Sequence, residues 1–202
     1  MPTVNERPTP HQARERTRRR IVDAASELVR ERSFARLTVG AVMGRAGLER
    51  TIFYRHFDDL AELILSIGRE AIDELYAAQV ALAEARLDYG PERVLEAVEV
   101  PVRVYHRHGP VLRAVSEAAA GDERLAAGQV PVRRRFDELI ADALRGVEKQ
   151  SGRPFGDVME TARALNLLAE AYLLDSFGRE PRVSVETAVR TMSEVWLALV
   201  DR

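Results

Sequence analysis

Between Gly47 and Phe57 the chain reads GLERTIFYRHF, which places Arg50, Thr51, Tyr54, Arg55 and His56 in one short stretch. An arginine fork pairs with O6 and N7 of guanine, a threonine reaches a base edge or a thymine methyl, and tyrosine and histidine donate to phosphate. The remaining chemistry-bearing residues are sparser. His106 and His108 stand two apart, so on a helix they point to different faces and make a poor metal pair. Glu117, Asp122 and Glu123 could move protons, yet no nucleophile or oxyanion device accompanies them. No glycine-rich phosphate loop and no G-x-S-x-G elbow is present, and the chain has no cysteine. The expectation is a protein that is not an enzyme and carries no cofactor and no metal.

Charge and periodicity show which elements must position the basic and aromatic stretch. Residues 1 to 57 hold 12 arginines against 6 acids, a balance of +6, whereas the remainder carries 18 basic and 26 acidic groups, a balance of -8. One end suits a polyanion. Ile21, Ala24, Ala25, Leu28 and Val29 recur at helical spacing behind Arg14, Arg16, Arg18, Arg19 and Arg20, which predicts a helix over 13–32 with a basic entrance. Thr38 is a good N-cap for a second helix, and Gly47 can supply its left-handed stop. A third helix is expected over 49–56, with Leu48, Phe53 and Phe57 turned inward and Arg50, Thr51, Tyr54 and Arg55 outward. Two short helices joined through Ala46-Gly47-Leu48 match a helix-turn-helix.

Beyond Asp58 and Asp59 every segment reads as helical. Helices are expected over 60–86, 91–108, 110–120, 123–150, 156–177 and 184–200, with Gly-Pro pairs at 90–91 and 109–110 as punctuation. Pro101 and Pro131 should kink the helices that contain them. The expected fold class is all-α with about nine helices: a flexible arm over 1–12, a helix-turn-helix domain over 13–57 and a larger helical domain over 58–202. The two last helices carry apolar stripes wide enough for a core and a partner copy. No basic-then-apolar leader opens the chain and no apolar run approaches a membrane span, so a cytoplasmic location is expected.

From residue 18 to about 65 the sequence resembles the DNA-binding domain of the tetracycline-repressor (TetR/AcrR) family, on Ala46-Gly47-Leu48 and Phe53-Tyr54-Arg55-His56-Phe57. The resemblance implies a homodimeric regulator, a repressor, that binds a palindromic double-stranded operator through Thr38, Arg50, Thr51, Tyr54, Arg55 and His56. Three positions depart from the family pattern: Glu49 replaces a commoner serine, Ile52 a phosphate-binding threonine, and Leu60 a lysine. Arg14 to Arg20 are expected to compensate for the lost anchoring. The C-terminal half is similar to the subgroup containing the repressor of the ethionamide-activating monooxygenase, on Ala-Leu-Asn-Leu, Ser-Phe-Gly and the late tryptophan. That similarity implies a small, largely apolar effector bound by Asn166, Trp196, Tyr105 and Phe136. Asn166 bonding to a neighbouring helix is the competing role. The alternative function is a DNA-binding protein-interaction module of the same fold without an effector.

Overall fold

A computed structural model describes residues 9–84, 91–180 and 182–200. The chain forms α1 (Pro10–Glu31), a 3-10 turn (Phe34–Arg36), α2 (Val39–Ala46), α3 (Arg50–Phe53), α4 (Leu60–Glu84), α5 (Pro91–Ala120), α6 (Glu123–Ser151), α7 (Val158–Phe177) and α8 (Val185–Val200). No strand occurs among the described residues. The expected end of α4 near residue 86, the Gly90 half of the Gly-Pro pair and residues 1–8 of the arm lie outside the described residues.

Helix α1 begins at Pro10, ahead of the expected start at Ala13, because Thr9 and Gln12 form a capping box. The Gln12 backbone N–H donates to the Thr9 hydroxyl (3.3 Å), and the Thr9 N–H donates to the Gln12 side chain (2.9 Å). Pro10 at the first helical position needs no amide partner.

The expected nine helices are corrected to eight among the described residues, since the stretches 91–108 and 110–120 form one helix of 30 residues. Pro110 has no N–H for the His106 carbonyl four residues back. Arg182 supplies the missing donor, Nη1 to His106 O at 2.9 Å. Gly109 belongs at the same point for packing reasons, because a Cβ there would collide with the backbone carbonyl of Phe177 on α7. Pro101 and Pro131 likewise lie inside continuous helices.

The two largest of four apolar clusters among the described residues organise the molecule. The first joins Ile21, Ala25, Leu28 and Val29 of α1, Val42 and Met43 of α2, Phe53 and Phe57 to Leu63, Ile64 and Ile67 of α4 and Val111, Ala114 and Val115 of α5. The second joins Ala71 and Leu75, further along α4, to Val98, Val102 and Tyr105 of α5, Leu173 and Phe177 of α7, and Met192 of α8. Helices α4 and α5 therefore serve both cores. No helix among the described residues is long and apolar enough to cross a membrane.

Candidate nucleic-acid interface and ligand cavity

Helix α2 is fixed at both ends. The Thr38 hydroxyl accepts from Ala41 N–H (3.1 Å), and Gly47 adopts φ 63, where its N–H meets Gly44 O (3.2 Å) while Leu48 N–H reaches Met43 O (2.9 Å). This left-handed stop turns the chain into α3. The third helix is shorter than the expected 49–56: only Arg50–Phe53 is α-helical. No side chain caps it at Glu49, and tighter bonds follow, with Arg55 N–H to Ile52 O (3.2 Å) and His56 N–H to Phe53 O (2.9 Å). The faces nevertheless divide as the sequence implies. Phe53 and Phe57 are buried with rings 5.7 Å apart, and Leu48 is half-buried. Arg50, Thr51 and Arg55 are exposed, and Tyr54 is 55% exposed. Thr38, the N-cap of α2, is exposed as well.

His56 is half-buried, and burial lowers its pKa, with the charges of Arg14, Arg18 and Arg55 adding to the effect against Glu15. The imidazole is therefore neutral at pH 7 and offers one N–H as a donor.

The basic entrance of α1 divides into two sets. Arg20 donates to Ala46 O (2.7 Å) and Gly47 O (3.4 Å), Arg14 donates to Arg55 O (3.2 Å), and the Arg18 guanidinium lies 5.0 Å from the Phe57 ring centroid. These three arginines hold the turn and the segment through α3 to Phe57 in place. Arg16 and Arg19 are exposed and have no ion-pair partner among the described residues. Arg45 of α2 grips Glu31 (2.9 Å) and Glu27 (3.1 Å) of α1, which lowers the Glu31 pKa chiefly through that hydrogen bond.

Leu60, at the position of the family's lysine, is half-buried against the first core. The start of α4 is capped by acids: Glu62 N–H donates to Asp59 (2.7 Å) and Asp58 N–H donates to Glu62 (2.6 Å). Asp59 also pairs with Arg124 of α6 at 3.3 Å.

A clamp between α5 and the end of α1 carries no sequence signal. Glu117 of α5 accepts from Phe34 N–H (2.7 Å), while Arg113, one turn earlier, donates to Val29 O (3.0 Å), Arg32 O (3.4 Å) and Glu117 (3.1 Å). Glu117, one of the acids with no evident partner in the sequence, thus fastens α5 to the end of α1. His108 and Arg107 both bind Glu74, at 3.0 and 2.8 Å, and the His106 ring meets the Phe177 ring edge-on. No group of three or more metal-ligating side chains is found among the described residues.

A cavity of about 680 Å³ lies between α4, α5, α6, α7 and α8, and Tyr105, Phe136, Asn166 and Trp196 all line it. That volume is ordinary for a small-molecule site. Asn166 donates to Asp137 Oδ1 on α6 (2.7 Å), so it bonds a neighbouring helix while also lining the cavity. One turn further along α7, Glu170 is gripped through both oxygens by Arg133, at 2.9 and 3.0 Å. This pair was not anticipated, because its members are 37 residues apart. Outside the cavity, Leu167 and Leu168 of α7 and Val195 of α8 are 42%, 43% and 38% exposed, whereas Leu165, Leu173 and Met192 of the same helices are buried.

An all-helical protein with a helix-turn-helix at one end and a helix-lined cavity in the rest is the class this architecture defines. Residues 21–67 match the family model of bacterial regulatory proteins of the tetR family. Among solved structures, the chain is similar to the TetR-family transcriptional regulator PfmR from Thermus thermophilus (20% identity, TM-score 0.71, covering 89% of this chain and 97% of that one). It is also similar to a bacterial regulatory protein of the tetR family from Rhodococcus RHA1 (17% identity, TM-score 0.75, 91% and 96%). A third similar structure is AibR, solved with isovaleryl coenzyme A and operator DNA (13% identity, TM-score 0.69, 89% and 97%). Residues 21–67 thus match the tetR-type model, and the chain as a whole shares the fold of these solved regulators.

Proposed function

We propose that this protein is a ligand-responsive transcriptional regulator, a repressor that binds a palindromic DNA operator as a homodimer and is released by a small, largely apolar effector. The observation that carries this reading is that α4 runs from the core beneath the reading helix, through Leu63, Ile64 and Ile67, into the cavity wall at Ile72, Leu75 and Gln79. A ligand that repositions the inner half of α4 must also move its outer half. Arg50, Thr51, Tyr54 and Arg55 face bases and phosphates, with Thr38 and His56 as further phosphate donors. Pairing of α7 and α8 through Leu167, Leu168 and Val195 would set two reading heads at half-sites about one turn, roughly 34 Å, apart. AibR, with both coenzyme A thioester and operator in one structure, supports such a division of labour in this fold.

The cavity favours this reading over an interaction module without an effector, and residues 13–57 and 58–202 are assigned as the DNA-binding and the ligand-binding and dimerisation units. The resemblance of the C-terminal half to the ethionamide-activator repressor subgroup supports Asn166 and Trp196 as ligand contacts. As a DNA-binding regulator the protein acts in the cytoplasm. The test is selection of bound duplexes from a random library, repeated with Arg50→Ala. The wild type should enrich a two-fold symmetric site and the variant should not. Equal enrichment by both would remove α3 from the reading role.

A further inference from the structure

The charged pair of the cavity wall beside Tyr105 is closed on itself. Arg133 is the cation of the inner wall, and both of its hydrogen-bonded contacts to Glu170 are closed, at 2.9 and 3.0 Å. Arg135 lies with its guanidinium 3.8 Å from the Tyr76 ring centroid and is exposed. Arg69 and Arg124, both exposed, also line the cavity with Asp58, Asp59, Glu62 and Asp73; Arg124 is paired with Asp59 and Asp122, whereas Arg69 has no ion-pair partner among the described residues. An ionised carboxylate seated beside Tyr105 would, at a cost, give up its water without gaining an unpaired cation there, because Arg133 is closed by Glu170.

One polar group of the inner wall does await a partner. Tyr105 is 9% exposed and lines the cavity, and its hydroxyl makes no hydrogen bond to any described residue. Burial, reinforced by the Glu170 carboxylate and opposed by Arg133, raises the phenol above its ordinary range, so it stays an O–H donor. Asn166 and Glu170 lie one turn apart on α7, and no described residue donates to the Asn166 amide oxygen. The lining beyond is apolar, through Leu173, Met192 and Trp196, and Trp196 also borders a second pocket of about 130 Å³ walled by Leu82, Val94 and Ile140.

We propose that the cavity selects an uncharged amphiphile: a carbonyl or hydroxyl oxygen bound by the Tyr105 O–H beside the closed Arg133–Glu170 pair, and an apolar chain directed toward Trp196. This rests on the reading of the cavity as the effector site. It excludes fatty carboxylates of the same length. The Arg133–Glu170 pair acts as a filter, since it presents a neutral surface only while both partners remain in place.

Trp196 is the single tryptophan of the chain, so its fluorescence reports occupancy of the cavity directly. The full-length protein is titrated at pH 8 with 2-decanone, 1-decanol and decanoate. The wild type should bind the ketone and the alcohol at least ~10-fold more tightly than decanoate. Tyr105→Phe should weaken 2-decanone by roughly 2- to 12-fold, as expected for one net hydrogen bond, without changing decanoate. Glu170→Gln, which leaves Arg133 uncompensated, should raise decanoate affinity and reverse the preference. Tighter binding of decanoate than of 2-decanone by the wild type would overturn the inference while leaving an effector site in place. Binding of none of the three probes would overturn the effector reading itself. Unchanged affinities in both variants would show that Tyr105 and the ion pair do not select the ligand.

Discussion

Removing the Glu117 carboxylate tests the clamp between α5 and the end of α1. In the folded protein Glu117 accepts from Phe34 N–H at 2.7 Å and from Arg113 at 3.1 Å, and the two side chains are 29% and 13% exposed. Glu117→Ala therefore loses a charge-assisted hydrogen bond, leaves the Phe34 amide without its acceptor, and strips Arg113 of its counter-charge. Charge-assisted bonds contribute about 1.5–3 kcal/mol, and breaking one side of a fully buried pair costs about 3–5 kcal/mol. Arg113 keeps Val29 O and Arg32 O, so we expect a loss of roughly 2–3 kcal/mol, at the lower end of those ranges. For a chain of this size that corresponds to a fall in Tm of roughly 4–12 °C. Urea denaturation of the wild type, Glu117→Ala, Arg113→Met and the double variant supplies the coupling energy. The expected coupling is about 1 kcal/mol or more. A Glu117→Ala variant within ~0.5 kcal/mol of wild type, with no coupling to Arg113, would refute the clamp.

Further outcomes follow from the same structure. Arg16→Ala with Arg19→Ala should leave the fold intact and lower the salt slope of DNA binding by about 0.9 per lost phosphate contact, whereas Arg20→Ala should lower stability because it uncaps Ala46 O and Gly47 O. DNA affinity measured by anisotropy should strengthen as the pH falls from 8 to 6. The His56 pKa is depressed in the free protein and phosphate raises it, so binding takes up a proton below the bound pKa. A His56→Asn variant should lose that component, and on the same linkage the free fold should lose stability as the pH falls below the ordinary histidine range. Leu168→Asp, at a position 43% exposed in the protomer, should sediment as a folded monomer with unchanged helicity.

Much of the helical layout was legible because the residues that make it act locally. Ile21, Ala24, Ala25, Leu28 and Val29 mark one face of α1, and Gly47 stops α2 in the left-handed region as its position suggests. Thr9-Pro10-His11-Gln12 carried a readable capping box that its proline-rich surroundings obscured. Gly109-Pro110 misled for the opposite reason. Punctuation by Gly and Pro holds only when nothing distant replaces the lost bond, and here Arg182 and Phe177 sustain the helix through it. In the candidate site, the division of Phe53 from Tyr54 follows from helical geometry. The roles of Arg14, Arg18 and Arg20, the Arg113–Glu117 clamp and the Arg133–Glu170 pair depend on helix packing over tens of residues, for which periodicity carries no signal.

Occupancy of the cavity should change DNA binding, and this is the most direct test of a ligand-responsive regulator. Operator affinity of the full-length protein is to be measured with and without a compound that alters Trp196 fluorescence, at a concentration that saturates that signal. The structure predicts a roughly 5- to 150-fold weaker complex, the range of a coupling of about 1–3 kcal/mol carried along α4. Equal affinity in both conditions would contradict it.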